Sequence, residues 1–194
     1  MDKYAVRLKE NVEKLSAKNK LLFAFWVSKR LFHNYVFFNE KTSYGDIDVM
    51  LDALNQIEKY INNSTVDNDE ILNTITVVEA NTPDTNNFDT ILASFALDAC
   101  SALIESLNFI IDQDIKYIVN VGVFARDTID MFIQELEDMD YDDSNFESKI
   151  KNHTLMKQEM SDQNVMLSKL SNDEDVWNYI KYDRIIDPSL IKHH

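Results

Sequence analysis

Apolar side chains recur every three or four positions along most of the chain, a spacing typical of helices that bury one face. No stretch alternates polar and apolar residues for long enough to predict a β-strand. The pattern predicts six to eight helices, and the last pair is the least regular. The segments are Lys3–Ser16, Asn19–Asn39, Ile47–Ile61, Asp69–Glu79, Phe88–Ile110, Ile115–Leu136, Phe146–Leu170 and Asp173–Ile186.

Turn-forming residues separate these segments. Tyr44-Gly45-Asp46 interrupts the pattern, and Asp46 is a suitable cap for the helix that follows. The polar stretches 62–68 and 81–87 are predicted as loops. Residues 112–114 suffice only for a tight turn, so the helices on either side should pack antiparallel. Residues 137–145 are predicted as an acidic loop or a frayed helix end, and Pro188 should stop the last helix.

The composition supports a helical fold. The chain has 194 residues, 45% of them hydrophobic, which suits one domain with one core. Only 2 Gly and 2 Pro occur, whereas sandwiches, barrels and doubly wound sheets use both at many turns. Two glycines also exclude a Walker loop and a dinucleotide-binding fingerprint. We therefore expect a single all-α domain over residues 1–194, a bundle of mostly antiparallel helices.

Targeting signals are not visible in the sequence. The N-terminal segment is charged, and the longest unbroken apolar run, Leu21–Val27, is shorter than the roughly 18 residues of a membrane span. The single cysteine, Cys100, has no partner for an intrachain disulfide and suits a reducing compartment. These features predict a cytoplasmic protein. His193 and His194 are either native or the remainder of a purification tag, and we assign them no chemistry.

The charge is strongly negative and unevenly distributed. The net charge is −15; residues 1–60 carry +2 and residues 61–194 carry −17. Such a charge repels nucleic acids and anionic membranes, so we expect neither as a partner. Nine carboxylates and no Lys or Arg lie between residues 127 and 147, which predicts an acidic surface that attracts a basic protein. They are Asp127, Asp130, Glu135, Glu137, Asp138, Asp140, Asp142, Asp143 and Glu147.

Two motifs are distinctive as a pair. The first is Arg30-Leu-Phe-His-Asn34-Tyr35-Val-Phe-Phe38, followed by Tyr44-Gly45-Asp46. The second is Phe88-Asp89, followed by Asp98-Ala-Cys-Ser-Ala-Leu103.

These motifs resemble those of the YjaG-like bacterial proteins, domain-of-unknown-function family 416. That family has an Arg-x-x-Pro-Asn-Tyr-x-x-Phe run followed by Gly-Asp, and an Asp-Ala-Cys-x-Ala-Leu helix. His33 stands where the family often has proline, which should keep the helix straighter. The resemblance covers about residues 5–170 and leaves the tail from about residue 171 unmatched. It implies an all-helical soluble fold and no established activity.

Arg30 and Asp98 are charged residues on strongly apolar helices, where a charge is costly unless it is paired. We expect a partly buried Arg30–Asp98 salt bridge between the two helices. The alternative is a small polar site that also includes Asn34 and Tyr35. An arginine beside a tyrosine is suited to binding a carboxylate or phosphate group.

The sequence predicts no cofactor and no metal site. Cys100 lacks a histidine at catalytic spacing, so we expect a buried, inert thiol. The run from Asp138 to Asp142 matches the start of an EF-hand loop, but Asp143 and Lys149 replace the required glycine and glutamate. The paired Glu-x-x-His spacing of a di-iron bundle is also missing. A solvated acidic loop is the simpler interpretation.

Two further patterns bear on binding. The first helix is basic, with Lys3 and Arg7 among its cations, but nearby acids dilute it and we expect a solvated face. The second helix has more aromatic residues than one buried face needs. Most should lie in the core, while some are candidates for a homodimer or ligand surface. These aromatic residues are Phe23, Phe25, Trp26, Phe37 and Phe38.

Two functions from different classes remain open. The first is a non-enzymatic binding protein whose acidic surface captures a basic partner. One form of it is an immunity-type inhibitor that blocks a basic nuclease toxin by mimicking nucleic-acid charge. The second is a small-molecule or metal-dependent enzyme built around Arg30, Asn34, Tyr35 and Asp98. The sequence favours binding because it contains few residues suited to catalysis.

Overall fold

The computed structural model describes residues 3–63, 67–180 and 183–191, and these residues form an all-helical domain without a β-strand. The predicted all-α class is confirmed; His193 and His194 lie outside the described residues. The α-helices are α1 Lys3–Val12, α2 Ala17–Thr42, α3 Ile47–Asn63, α4 Asn68–Ala80, α5 Leu92–Asp112, α6 Ile115–Leu136, α7 Phe146–Asn152 and α8 Thr154–Ser171. Short 3₁₀ turns lie at Thr85–Asn87 and Pro188–Leu190.

Helix α2 is the central element, because it is apolar on most of its circumference. Ser16 caps its first turn by accepting a hydrogen bond from the Asn19 amide, and Ser43 ends it in the left-handed conformation. The aromatic residues of α2 are mostly internal: Phe23, Phe25 and Trp26 are buried, as is Phe38, and only Phe37 is half-buried. Most of these aromatic residues therefore lie in the core, as expected, and Phe37 is the one of the five that reaches the surface.

Helices α5 and α6 are antiparallel neighbours, as the short turn between them predicts. Gln113 turns the chain in the left-handed conformation, and Asp114 caps α6 by accepting from the Lys116 amide. Helix α5 packs between α2 and α6. Among the described residues it is the one helix long and apolar enough to cross a membrane by length and composition. More than half of it is buried, as in the core helix of a soluble protein.

The predicted helix over 146–170 is two helices in the structure. The chain breaks at His153, whose backbone is extended and whose Nδ1 accepts a hydrogen bond from the Leu155 amide at 3.2 Å. This side-chain cap starts α8 and leaves α7 as a separate short helix. The helix predicted from Phe88 begins instead at Leu92, because the backbone of Phe88 is extended; its ring packs edge-on against Phe38.

The predicted helix over 173–186 is wrong. Its described residues, 173–180 and 183–186, form turns and irregular backbone; Asp173 is left-handed, and Asp175 accepts a hydrogen bond from the Trp177 amide. Its apolar residues, which include Val176, Ile180 and Ile185, are nevertheless buried against the bundle. Burial without a helix explains the error, because apolar residues three to five apart fit an irregular packed tail as well as a helix.

Candidate functional site

Arg30 forms a buried ion pair, but its partner is Glu159 of α8. Arg30 Nη2 lies 2.8 Å from Glu159 Oε2, and Nη1 donates to Oε1 at 3.3 Å. The guanidinium also lies over the Trp26 ring, 4.5 Å from its centroid. The Arg30–Asp98 bridge expected from the sequence is therefore wrong. Arg30 does find the opposite charge that its burial requires, and this two-bond pair links α2 to α8.

The ion pair is extended by a buried hydrogen-bond network that reaches α1 and α6. Gln163 Nε2 donates to Glu159 Oε1 at 2.8 Å and lies 3.1 Å from the Gly122 carbonyl oxygen. The Tyr4 hydroxyl donates to Gln163 Oε1. Burial raises the pKa of the Tyr4 phenol, so Tyr4 stays a neutral donor. Arg30, Glu159, Gln163 and Tyr4 thus tie together four helices, and we call them the buried network.

Gly122 allows these helices to come close together. A Cβ atom at this position would lie 2.6 Å from Leu8 Cδ2 and 3.0 Å from Gln163 Oε1. Glycine within a helix normally lowers stability, so its presence here fits the close approach of α1 and α8 to α6.

Asp98 has a different partner. The Thr128 hydroxyl of α6 donates to Asp98 Oδ2 at 2.8 Å, and the carboxyl is only 9% exposed. Burial raises the pKa of Asp98 to about 7, although the Thr128 hydrogen bond opposes the change. Near neutral pH the side chain is therefore protonated in a large fraction of molecules.

Tyr35 is enclosed by the loop that follows α2. Its hydroxyl donates to the Asn81 carbonyl oxygen at 3.2 Å, and burial raises the pKa of the phenol. Gly45 lies directly against this hydroxyl with φ of +75°, so a side chain there would clash with Tyr35 and strain the backbone. Asn39 fixes the loop by donating to the Tyr44 and Gly45 carbonyl oxygens.

Cys100 lies in the same part of the core and is buried. Burial raises the pKa of its thiol to about 12, and the Thr82 side chain that hydrogen-bonds the sulfur opposes this change only in part. A thiol with such a pKa is not ionised at neutral pH and is a poor nucleophile. The inert thiol expected from the sequence agrees with this environment.

The four residues of the predicted polar site do not form one cluster. Arg30 pairs with α8, Asp98 pairs with α6, and Tyr35 bonds the backbone at Asn81. Asn34 is buried, and neither its Oδ1 nor its Nδ2 has a hydrogen-bond partner among the described residues. These side chains are enclosed and serve three separate contacts between helices. Within the described part of the chain, no group of three His, Cys, Asp or Glu side chains is arranged to hold a metal ion.

Glu159 and Gln163 are the residues that sequence reasoning missed. They lie on the buried stripe of α8, together with Met156, Met166 and Leu170. A glutamate and a glutamine four residues apart on an apolar stripe are a recognisable signal, because a buried carboxylate requires a cation. The irregular pattern of residues 146–170 concealed that stripe.

The acidic stretch after α6 divides into paired and exposed residues. Asp127 is half-buried and pairs with Arg126 at 2.6 Å, and Asp143 pairs with Lys149 at 2.5 Å. Asp130 is also half-buried. The other six carboxylates of the predicted set face solvent, and we call them the acidic surface: Glu135, Glu137, Asp138, Asp140, Asp142 and Glu147. One of them, Glu137, also lies 3.5 Å from the imidazole of His153.

The loop that carries much of the acidic surface is folded into turns. Asp140 Oδ1 accepts from the Asp142 amide at 2.9 Å, and Asp143 Oδ1 accepts from the Asn145 amide at 2.8 Å. Tyr141 stands between two acidic residues in the sequence with 73% of its surface exposed, and its ring lies 5.3 Å from that of a half-buried phenylalanine, tilted by 32°. The loop therefore presents an exposed aromatic ring flanked in the sequence by acidic residues.

This geometry defines the class of protein. It is an all-helical domain in which buried charged side chains, such as Arg30 and Asp98, are bonded to other side chains of the core. The chain belongs to the DUF416 family, described as proteins of unknown function, whose family model matches residues 7–182. The family resemblance predicted from the two motifs is confirmed. The match also continues past residue 170, where the resemblance was expected to end.

A solved structure shares this fold. It is the crystal structure of a DUF416 family protein from Shewanella baltica OS155, with a TM-score of 0.75 and 23% sequence identity. The similarity covers 94% of this chain and 88% of that one. A search of curated proteins finds no match.

Proposed function

We propose that this protein is a non-enzymatic binding protein that captures a basic protein partner on its acidic surface. The observation that carries the proposal is the exposure of six carboxylates between residues 135 and 147, the same stretch that carries the solvent-facing ring of Tyr141. Tyrosine is enriched at protein interfaces because it buries a large area with few rotatable bonds. The surrounding charges would speed the encounter with a basic partner and favour it over acidic ones.

The burial of Arg30 and Asp98, the charged residues of the alternative enzyme site, also favours binding over catalysis. Arg30 and Asp98 are 7% and 9% exposed, and each already has a protein partner. A substrate would have to displace Glu159 from Arg30 and leave a buried carboxylate unpaired, which is costly. These residues are better suited to holding helices together.

One specific form of the proposal is an immunity-type inhibitor. A surface of closely spaced carboxylates presents negative charge as a nucleic-acid backbone does, so it would compete for the cationic cleft of a nuclease. We place this activity in the cytoplasm, because the buried free thiol of Cys100 suits a reducing compartment.

The test is capture from a lysate of the source organism at low salt, followed by elution with a salt gradient. One variant replaces the six acidic-surface carboxylates by their amides. A matched control neutralises six exposed carboxylates elsewhere, which changes the net charge equally: Glu10, Glu40, Asp52, Glu79, Asp89 and Asp183.

We expect the wild type and the control to retain a stoichiometric basic protein that elutes at moderate salt, since exposed charges are screened. The acidic-surface variant should not retain it. Full retention by both variants would show that another surface is responsible, and loss by both would show that net charge alone is responsible.

A further inference from the structure

A large groove opens where α1, α6, α7 and α8 meet. Its volume is about 1320 Å³, above the roughly 300–1,000 Å³ of most small-molecule sites. On α8 its lining runs from Met156 to Ser168, a distance of about 18 Å at 1.5 Å per residue. These dimensions fit a segment of polypeptide three helical turns long better than a metabolite.

The charge of the groove is opposite to that of the protein. Among the described residues, five basic and two acidic side chains line it, a net charge of +3 in a chain of net charge −15. Lys3, Arg7, Lys151 and Lys157 form no ion pair with any described carboxylate. The groove therefore contains four cations that can form ion pairs with an acidic ligand.

Apolar side chains lie between these cations. Met156, Met160 and Val165 line the groove from α8, and Val165 is 50% exposed. Methionine adapts its shape to different apolar partners, and calmodulin-like grooves use it in this way. The lining thus offers both apolar contacts and positive charge along one direction, as grooves that bind an amphipathic helix do.

We propose that this groove binds an acidic amphipathic helix of a partner protein, with its apolar face against α8 and its carboxylates against the surrounding lysines and arginines. Charge complementarity favours this occupant, because the excess of cations in the groove would repel a basic helix. The groove is separate from the acidic surface, and Glu147 is the one residue that belongs to both. The groove would therefore bind a second, acidic partner in addition to the basic partner of the acidic surface.

The groove also lies above the buried network. Tyr4 lines it and donates to Gln163 inside, and the Arg126 guanidinium lies over the Tyr4 ring, 5.0 Å from its centroid. The buried network thus holds α1 against α8 and keeps the groove in a fixed shape. A preformed groove reduces the conformational cost of binding.

The test measures binding of a synthetic labelled helix by fluorescence anisotropy. The peptide has about 15 residues, so that it can form a helix, with leucines along one face and glutamates on the other. A control peptide carries lysines in place of the glutamates. The groove variant is K151E/K157E, and the matched control is K14E/K18E, which makes the same charge change at exposed positions outside the groove lining.

We expect the acidic peptide to bind the wild type and K14E/K18E equally. It should bind K151E/K157E about tenfold or more weakly, as two lost surface ion pairs predict. Binding of the acidic peptide should weaken as salt rises. Any binding of the basic peptide should not fall in K151E/K157E, because the groove cations repel that peptide. The acidic-surface variant should bind the acidic peptide at least as tightly as the wild type, because the only groove residue it changes is Glu147, whose negative charge it removes. A failure of the proposed function therefore leaves this result unaffected.

Three outcomes would overturn the proposal. The first is no binding of the acidic peptide at millimolar concentration, and the second is an equal loss of affinity in the two double variants. The third is binding of anionic phospholipid vesicles, lost in K151E/K157E, without binding of the peptide; that result would assign the groove to a membrane surface. Circular dichroism of each variant checks that it remains folded.

Discussion

Carboxylates occupy two contrasting regions of this protein. In the buried network, Glu159 is 2% exposed and has both oxygens bonded, to Arg30 and to Gln163. On the acidic surface, the six carboxylates face solvent, and Asp140 caps a turn of its own loop. Removing a partner from a buried charge pair is strongly destabilising, whereas an exposed charge contributes little to stability. The first region maintains the fold, and the second is available to a partner.

The largest expected effect comes from breaking the buried ion pair. Glu159→Ala leaves the Arg30 guanidinium buried without its counter-charge and should cost about 3–5 kcal/mol of unfolding free energy. Urea denaturation measures this loss. Glu147→Ala, on the acidic surface, is the matched control and should change stability by less than about 0.5 kcal/mol.

The double variant R30M/E159L sharpens this prediction. Replacing both charges by apolar side chains of similar size should recover most of the lost stability, because no unpaired charge remains. If Glu159→Ala costs less than about 1 kcal/mol, the pair is a solvated surface bridge, and the contrast between the two regions fails.

The next effect is a pH dependence at Asp98. Its pKa of about 7 in the folded protein lies above the ordinary aspartate value of 3.8. The folded state therefore keeps a proton that the unfolded state loses, and stability falls as pH rises from about 4 to 7. Asp98→Asn removes this titration, so relative to wild type the variant should gain about 2 kcal/mol between pH 5 and 7, at about 1.4 kcal/mol per unit. Urea unfolding at both pH values measures it, and a constant difference would contradict the assignment.

A smaller effect is expected where the helices approach most closely. Gly122→Ala places a Cβ atom against Leu8 and Gln163, which should cost about 1–2 kcal/mol after the gain in helix propensity. Thermal unfolding of Gly122→Ala, Leu8→Ala and the double variant measures the coupling. The second substitution should make the first less harmful, and strictly additive effects would show that the two sites are not in contact.

The smallest effect on stability is expected at the acidic surface. Neutralising all six of its carboxylates should leave the free energy of unfolding unchanged or slightly higher, since the substitutions relieve repulsion between like charges. Calorimetry of this variant beside the wild type checks the prediction. A large loss would mean that these side chains hold the loop together and that their exposure has no bearing on binding.

The helices were predictable because burial of one face imposes a period on the sequence. Helix α2, with its long apolar run, and the α5–α6 pair, with its short turn, could be recognised from the residues alone. Residues 173–186 could not, because apolar residues in a packed tail have no required period. The break at His153 depends on a side-chain cap, which histidine provides only in the folded geometry.

The polar residues were predictable only in part. The sequence shows that Arg30 needs an opposite charge, and it shows which residues are acidic. It does not show which acid lies nearby, because that depends on how α8 crosses α2. The groove could not be predicted from the sequence either. Its cations come from four different helices, and nothing in the sequence shows that these helices meet.

The most direct test of the account is parallel capture from the lysate by three proteins: the wild type, the acidic-surface variant and Asp98→Asn. The account predicts that the wild type and Asp98→Asn retain the same basic protein in equal amounts, while the acidic-surface variant retains none. Loss of the partner in Asp98→Asn, with retention by the acidic-surface variant, would contradict it and would place the function at the buried polar residues.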